Sequence, residues 1–98
     1  MLGKQTRAPG HPGGILRRQY MVPLGLNVSG LAAILHVSRK TVSKIVNEKG
    51  AITAEMALRL SQAFQTTPQL WLNLQQNYDL WKAAKSSRKW KDIDKIAA

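Results

Sequence analysis

The stretch Asn27–Asn47, NVSGLAAILHVSRKTVSKIVN, decides the fold of this chain. Asn27 and Ser38 are residue types that accept a hydrogen bond from the first turn of a helix, so each predicts a helix start. Apolar residues recur at helical spacing behind both caps: Leu31, Ala32 and Leu35, then Val42, Ile45 and Val46. We therefore predict two short helices that meet at a tight corner.

The second of these helices has hydrogen-bond donors opposite its apolar side. The outward positions are Arg39, Lys40, Ser43, Lys44 and Asn47. A short helix with an apolar back and a donor-rich front suits the major groove of DNA. Two helices joined by a short corner form a helix-turn-helix, so the pattern indicates nucleic-acid binding. Without that motif, a solvated helix face would be the simpler interpretation.

The flanking sequence predicts three further helices. Thr53 and Thr67 precede apolar residues at helical spacing, and Pro68 suits the first position of a helix. A turn at residues 11–14 leads into a short apolar pattern that Pro23 ends. The fold class expected is all-α, a five-helix domain with helices near 13–21, 28–35, 39–47, 54–64 and 68–84.

The chain of 98 residues has a formal net charge of +10, and its cations are unevenly placed. They concentrate in residues 1–18, in the second motif helix with its exit, and in residues 82–95, whereas residues 53–81 carry only Arg59 against Glu55 and Asp79. Cationic charge alone could serve solubility. The uneven distribution of the cations along the chain instead favours a polyanionic partner, of which nucleic acid is the first candidate.

The composition includes few residues of the types that catalyse reactions. The chain has five acidic residues, two histidines and no cysteine. We therefore predict no enzyme, no cofactor and no metal site, and His11, which has no ligand partner at suitable spacing, is expected to cap or turn the chain. No apolar run matches a membrane span and no secretory signal is evident, so a cytoplasmic protein is expected.

We expect three segments along the chain. Residues 1–10 are predicted to be a flexible basic arm, and residues 11–84 the helix-turn-helix domain. Residues 85–98 form either a basic tail or a short docking helix, because Trp90, Ile93 and Ile96 have helical spacing. The sequence leaves these two alternatives open.

The last long helix carries more large apolar surface than a domain of this size buries alone. Part of that surface folds under the other helices or forms a subunit interface. A two-fold dimer suits a helix-turn-helix protein, because one short helix reads only a few base pairs. We predict a homodimer whose interface contains Leu70, Trp71, Leu74, Tyr78 and Trp81.

The motif residues carry a family resemblance. LGLNVSGLAAILHVSRKTVSKIVNEKG, residues 24–50, resembles the helix-turn-helix of the XRE-like, lambda-repressor-like family. The HPG at residues 11–13, ITAEMALRLSQAF and TPQLWLNLQ resemble the HigA-type (VapI-type) antitoxins more narrowly. The family pattern places a left-handed corner at His36, where glycine is usual, and Gly50 is predicted to provide the left-handed exit.

The resemblance also implies residue roles and partners. Base contacts in double-stranded operator DNA are expected from Arg39, Lys40 and Lys44. Phosphate contacts are expected from Ser38, Thr41, Ser43, Asn47 and Lys49. A HigA-type antitoxin neutralises a RelE-like RNase toxin and represses its own operon. A stand-alone repressor and a non-specific basic RNA-binding protein are the alternatives.

Overall fold

The computed structural model describes residues 9–96, and the regular elements of that part of the chain are all helical. The helix α1 has an α-helical first turn, Pro12–Ile15, and continues as a π-helical stretch, Leu16–Met21. The others are α2, Val28–Leu35; α3, Arg39–Val46; α4, Ala54–Phe64; and α5, Pro68–Ser86. A short 3-10 turn, Lys89–Asp92, follows. The predicted five-helix, all-α class is confirmed.

Side-chain caps start the helices at the predicted residues. The oxygen atoms of these caps accept bonds from backbone N–H groups of the first turn: Asn27 from Gly30 at 2.7 Å, Ser38 from Thr41 at 3.1 Å, Thr53 from Met56 at 3.2 Å and Thr67 from Leu70 at 3.2 Å. Each cap satisfies a donor that has no partner within its helix. The helix α5 ends at Ser86, two residues beyond the expected boundary.

Left-handed backbone occurs at the corner of the motif and at its exit, but only the corner residue is the predicted one. His36 has φ 59°, as expected for the corner. The exit from α3 is left-handed at Glu48, with φ 63°, so the prediction for Gly50 is wrong. The Glu48 N–H already donates to the Ile45 carbonyl at 3.0 Å, and the chain leaves the helix there. Glycine at position 50 instead allows a close approach, because an added Cβ would lie 3.2 Å from the Cβ of Lys44.

One core joins all five helices. Its fully buried members come from α1 to α5 and include Leu16, Leu31, Val42, Leu60 and Trp71, each at most 1% exposed. Further buried side chains extend this cluster: Met21, Ala32, Leu35, Ile45, Val46, Ile52, Met56 and Ala57. Because α2 and α3 both contribute to the cluster, the two motif helices are held in a fixed relation.

Within the described part of the chain, the segment after α5 does not pack against the helical core. The 3-10 turn after α5 and the residues that follow it are exposed through residue 96. A short helical turn does form in this segment, at Lys89–Asp92, and its side chains are exposed. Residues 1–8, most of the predicted basic arm, lie outside the described part of the chain. Between residues 9 and 96, no helix has both the length and the apolarity that crossing a membrane requires.

Candidate nucleic-acid interface

The helix α3 is anchored at its start and along its inner side. The Ser38 hydroxyl caps the helix and also lies 2.9 Å from the Thr41 hydroxyl, so these two side chains form a small polar cluster at the first turn. Val42, Ile45 and Val46 are buried in the core. The rotation of α3 about its axis is thereby fixed, and with it the direction of its outer side chains.

The outer side of α3 is cationic and accessible. Arg39, Lys40, Lys44 and Asn47 are exposed, and Ser43 is half-buried between them. In residues 9–96 the side-chain ion pair joins Arg59 to Glu55, away from this surface. The cations of α3 are therefore available to pair with an external partner. We call Arg39, Lys40, Ser43, Lys44 and Asn47 the donor face.

Of the residues predicted to touch phosphates, Ser43 and Asn47 belong to the donor face, and the other three lie next to it along the chain. Asn47 Nδ2 donates to Ser43 Oγ at 3.1 Å, which orients both side chains on one side of the helix. Lys49 is exposed just beyond the end of α3. Thr41 is half-buried and its hydroxyl is engaged with Ser38, so it lies at the edge of the surface. The structure places the predicted base-contact residues, all exposed, on α3, and the predicted phosphate-contact residues on the same helix or within three residues of its ends.

Helix α1 supports α3 from behind. An added Cβ at Gly13 would overlap the Ile45 carbonyl oxygen and lie 2.7 Å from its carbon, so the two backbones are in direct contact. His11 Nδ1 accepts a bond from the Gly13 N–H at 2.9 Å and caps this helix. The predicted capping role of His11 is thus confirmed, and its cap fixes the segment that touches α3.

His11 is buried in a polar cleft between α1, the exit of α3 and α5. Burial lowers the pKa of its imidazole, because a charged ring would lose water. The carboxylates of Glu48 and Asp79 oppose this lowering, while Lys82 adds to it. The ring also packs edge-on against Tyr78, with centroids 4.8 Å apart. A neutral imidazole is the form that can accept the Gly13 bond through Nδ1.

Two polar residues that the sequence did not single out hold the motif against the C-terminal helices. Arg59 Nη1 on α4 donates to the Leu35 carbonyl at 2.8 Å, and its Nη2 to Glu55 at 2.9 Å. Gln75 on α5 accepts from the Ile52 N–H at 2.7 Å and is 7% exposed. The Leu35 and Ile52 partners lie 24 and 23 residues away in sequence and left no local signal.

The residues predicted for a dimer interface fall into different environments. Trp71 is 0% exposed, its Nε1 donates to Thr66 at 2.8 Å, and its ring packs near Tyr20 and Phe64. Its assignment to the interface is therefore wrong, because a side chain inside the protomer cannot contact a second copy. The other four, Leu70, Leu74, Tyr78 and Trp81, are half-buried.

No metal-binding group emerges from residues 9–96, where three or more histidine or acidic side chains do not converge. The site is thus a surface of donors and cations around one rigid helix. Such a surface is chemically suited to phosphate oxygens and to the acceptor atoms of base edges. It has the features of a DNA-binding helix-turn-helix protein.

Comparisons with known proteins agree with this geometry. A helix-turn-helix family model matches residues 18–71. The chain is 43% identical over 91 residues to the uncharacterized HTH-type transcriptional regulator YbaQ of Escherichia coli K12, covering 93% of this chain and 80% of that protein. It is 38% identical over 78 residues to antitoxin HigA-1 of Vibrio cholerae, covering 80% and 73%.

A solved structure extends the likeness to three dimensions. The Pseudomonas aeruginosa antitoxin HigA with the higBA promoter superposes with a TM-score of 0.85 at 38% identity, covering 91% of this chain and 99% of that one. This chain therefore belongs to the helix-turn-helix family and, within it, to the HigA-type antitoxins.

Proposed function

We propose that this protein is a HigA-type antitoxin that binds operator DNA as a homodimer, represses its own operon and neutralises a RelE-like RNase toxin. The observation that carries the DNA-binding part is the donor face, which places cations and amide or hydroxyl donors on one side of a helix locked to the core. Solved HigA with its promoter supports the same use of the fold.

Within the donor face, charge and position separate two roles. Arg39, Lys40 and Lys44 project from the first two turns of α3, where long cationic side chains reach guanine O6 and N7 in the major groove. Ser38, Thr41, Ser43, Asn47 and Lys49 flank them and fix the protein on the phosphate backbone. The chain's charge of +10 adds a non-specific, salt-sensitive attraction to the duplex.

The size of the reading surface supports a dimer. One α3 helix covers only a few base pairs, so two copies related by a two-fold axis are needed to read a palindromic operator. The remaining exposed apolar surface on α5, including Leu80 at 62% exposure, supports association through that helix.

The toxin partner rests on the antitoxin family alone. The relative named antitoxin HigA-1 supports it. The relative named HTH-type transcriptional regulator supports a second candidate, a stand-alone repressor without a toxin. Both candidates use the same donor face and differ only in whether a second protein binds.

Two measurements test the proposal. The first is selection of a preferred duplex from a random pool, followed by sedimentation, which should give two protein copies per palindromic duplex. The second is expression of the neighbouring reading frame, if it encodes a RelE-like protein, with and without this chain. Growth arrest relieved by this chain supports the antitoxin, whereas operator binding without relief leaves the stand-alone repressor.

A further inference from the structure

A groove between α2 and α4 leaves two large apolar side chains exposed. Ile34, on the last turn of α2, is 51% exposed, and Leu58, on α4, is 58% exposed. Both line one depression with a volume of about 430 Å³. Leu58 shares a face of α4 with Glu55 and Gln62, which also line the groove, and this face lies opposite the buried Leu60. We call this surface the α2–α4 groove.

An accessible carboxylate borders the groove, whereas the cation that lines it is already bonded. Arg59 Nη1 donates to the Leu35 carbonyl at 2.8 Å, and its Nη2 donates to Glu55 at 2.9 Å. The Glu55 side chain keeps 74% of its surface exposed, against 36% for that of Arg59. A partner that enters the groove therefore meets apolar side chains beside a carboxylate that water still reaches.

The location of the groove separates it from the cationic surfaces of the chain. It lies largely on α4, within the stretch 53–81 that carries only Arg59 against Glu55 and Asp79, although the whole chain has a charge of +10. A second groove, at the exposed Val22, is lined by Arg17 and reaches Asn47 of the donor face. That groove suits a polyanion, whereas the α2–α4 groove is lined by residues outside the donor face.

The chemistry of the proposed toxin restricts where it can bind this chain. An RNase has to hold a polyanion, so its RNA-binding surface is cationic. Two cationic surfaces in contact repel each other, which costs binding free energy. The core of a protein interface is instead apolar and poor in charged residues. The α2–α4 groove combines apolar side chains with an accessible carboxylate, which is the combination that a cationic protein can contact.

We propose that the α2–α4 groove receives an apolar side chain of the RNase toxin, with a toxin cation facing Glu55. This inference rests on the proposed antitoxin function and identifies the surface that the toxin contacts. Ile34 and Leu58 provide the apolar contact from two different helices, so the groove is held open by the packing of α2 against α4. The donor face stays outside the contact.

A charge placed in the groove tests the apolar contact. The probe is the purified RelE-like product of the neighbouring reading frame, titrated calorimetrically into the full chain. Leu58→Lys should raise its dissociation constant at least about tenfold, because the substitution removes an apolar contact and adds a like charge. The matched control is Leu24→Lys, at a residue that is 64% exposed and outside the groove. It should leave the dissociation constant unchanged.

Both variants should keep the circular dichroism of the wild type and its number of copies per operator duplex, since both side chains are exposed and lie outside the donor face. In cells, the Leu58→Lys protein should therefore still repress its operator but no longer relieve growth arrest. A loss of folding in Leu58→Lys is met by Leu58→Ser, which should weaken toxin binding in the same direction without adding charge.

The possible results separate this inference from the antitoxin function. Equal toxin affinity in the wild type, Leu58→Lys and Leu58→Ser overturns the groove contact and leaves the antitoxin function intact. A wild type that neither binds the probe nor relieves its growth arrest, or a gene without a RelE-like neighbour, overturns both. Weaker self-association of Leu58→Lys with unchanged toxin binding would make the groove a contact between copies and overturn the proposal.

Neutralising the carboxylate provides a second readout. Glu55→Gln keeps the shape of the side chain but loses its charge, so the dissociation constant of the toxin should rise severalfold. Asp79→Asn is the matched control, because it removes the same charge from the same stretch of chain at a residue outside the groove. Equal affinities of the two variants would contradict a toxin cation that faces Glu55.

Discussion

Gly13 and Ile45 are in backbone contact: the first turn of α1 lies directly against the carbonyl group near the end of α3. A Cβ at position 13 would overlap that carbonyl oxygen. The contact joins the N-terminal helix to the helix that carries the donor face. The position of Arg39, Lys40 and Lys44 therefore depends on a residue that cannot itself touch DNA.

Replacing Gly13 by alanine should destabilise the domain by about 1–3 kcal/mol, because the methyl group has no space and the backbones must separate. Operator affinity should fall as α3 shifts. Urea unfolding and a DNA titration measure the two effects. Gly14→Ala is the matched control, since its Cβ would meet only the movable ends of Arg18 and Glu48 at 2.9 Å. Equal losses in both variants would contradict the special role of position 13.

Replacing Trp71 by alanine should cost about 3–5 kcal/mol of protomer stability, because the side chain is fully buried and its Nε1 bond to Thr66 is lost. Chemical denaturation at low protein concentration measures this effect. Leu58→Ala, on the exposed side of α4, should change stability by less than about 0.5 kcal/mol. If Trp71→Ala keeps the wild-type protomer stability and only weakens the dimer, Trp71 belongs to the dimer interface after all.

The stability of the domain should decline on acidification in a way that depends on His11. Burial lowers the pKa of His11 in the folded protein, so below pH 6.5 the unfolded chain binds more protons than the folded one. The contribution of the neutral ring is complete above pH 6.5 and is lost as pH falls toward the folded pKa. Protonation at Nδ1 also removes the cap on Gly13.

His11→Asn tests this source, because asparagine can cap a helix without titrating. Thermal midpoints between pH 7.5 and 5 should fall less for His11→Asn than for the wild type. His36→Asn is the control, since asparagine also tolerates the left-handed backbone found there. If the acid loss disappears in His36→Asn and persists in His11→Asn, His11 is not its source.

Arg59 should matter for the shape of the motif more than for its charge. Its guanidinium binds the Leu35 carbonyl and Glu55 at once. Arg59→Lys keeps the cation but cannot reproduce both bonds, so amide hydrogen exchange around residues 35–37 should become faster. The control is Lys40→Arg, which exchanges the same two cationic residue types at an exposed position of the donor face. It should leave that exchange rate unchanged. An unchanged amide exchange rate in Arg59→Lys would show that the corner is stable without the two bonds of the guanidinium group.

Local signals in the sequence were sufficient for the fold. Caps at Asn27, Ser38, Thr53 and Thr67 act within three residues of themselves, and each starts a helix where predicted. The donor face followed from the same periodicity, since the buried side of α3 fixes its outer side.

Features that depend on distant partners were not predictable. The burial of Trp71 is decided by Tyr20 and Phe64, which lie on other helices, and its size alone suggested an interface. The bond from Ile52 to Gln75 spans 23 residues and has no local pattern. The left-handed residue at the exit of α3 is Glu48 rather than Gly50, because the hydrogen bonds that end α3 outweigh the preference of glycine for left-handed backbone.

Direct reading of base edges by the donor face is tested most directly by a binding titration. Arg39→Ala, Lys44→Ala and Lys49→Ala are each titrated against the selected duplex and a scrambled duplex at several salt concentrations. Arg39→Ala and Lys44→Ala should each lose about 1–3 kcal/mol of binding free energy on the selected duplex and much less on the scrambled duplex. Lys49→Ala should weaken both duplexes alike and lower the salt slope by about one unit. Equal losses on both duplexes for all three variants would contradict direct readout and leave a charge-driven binder.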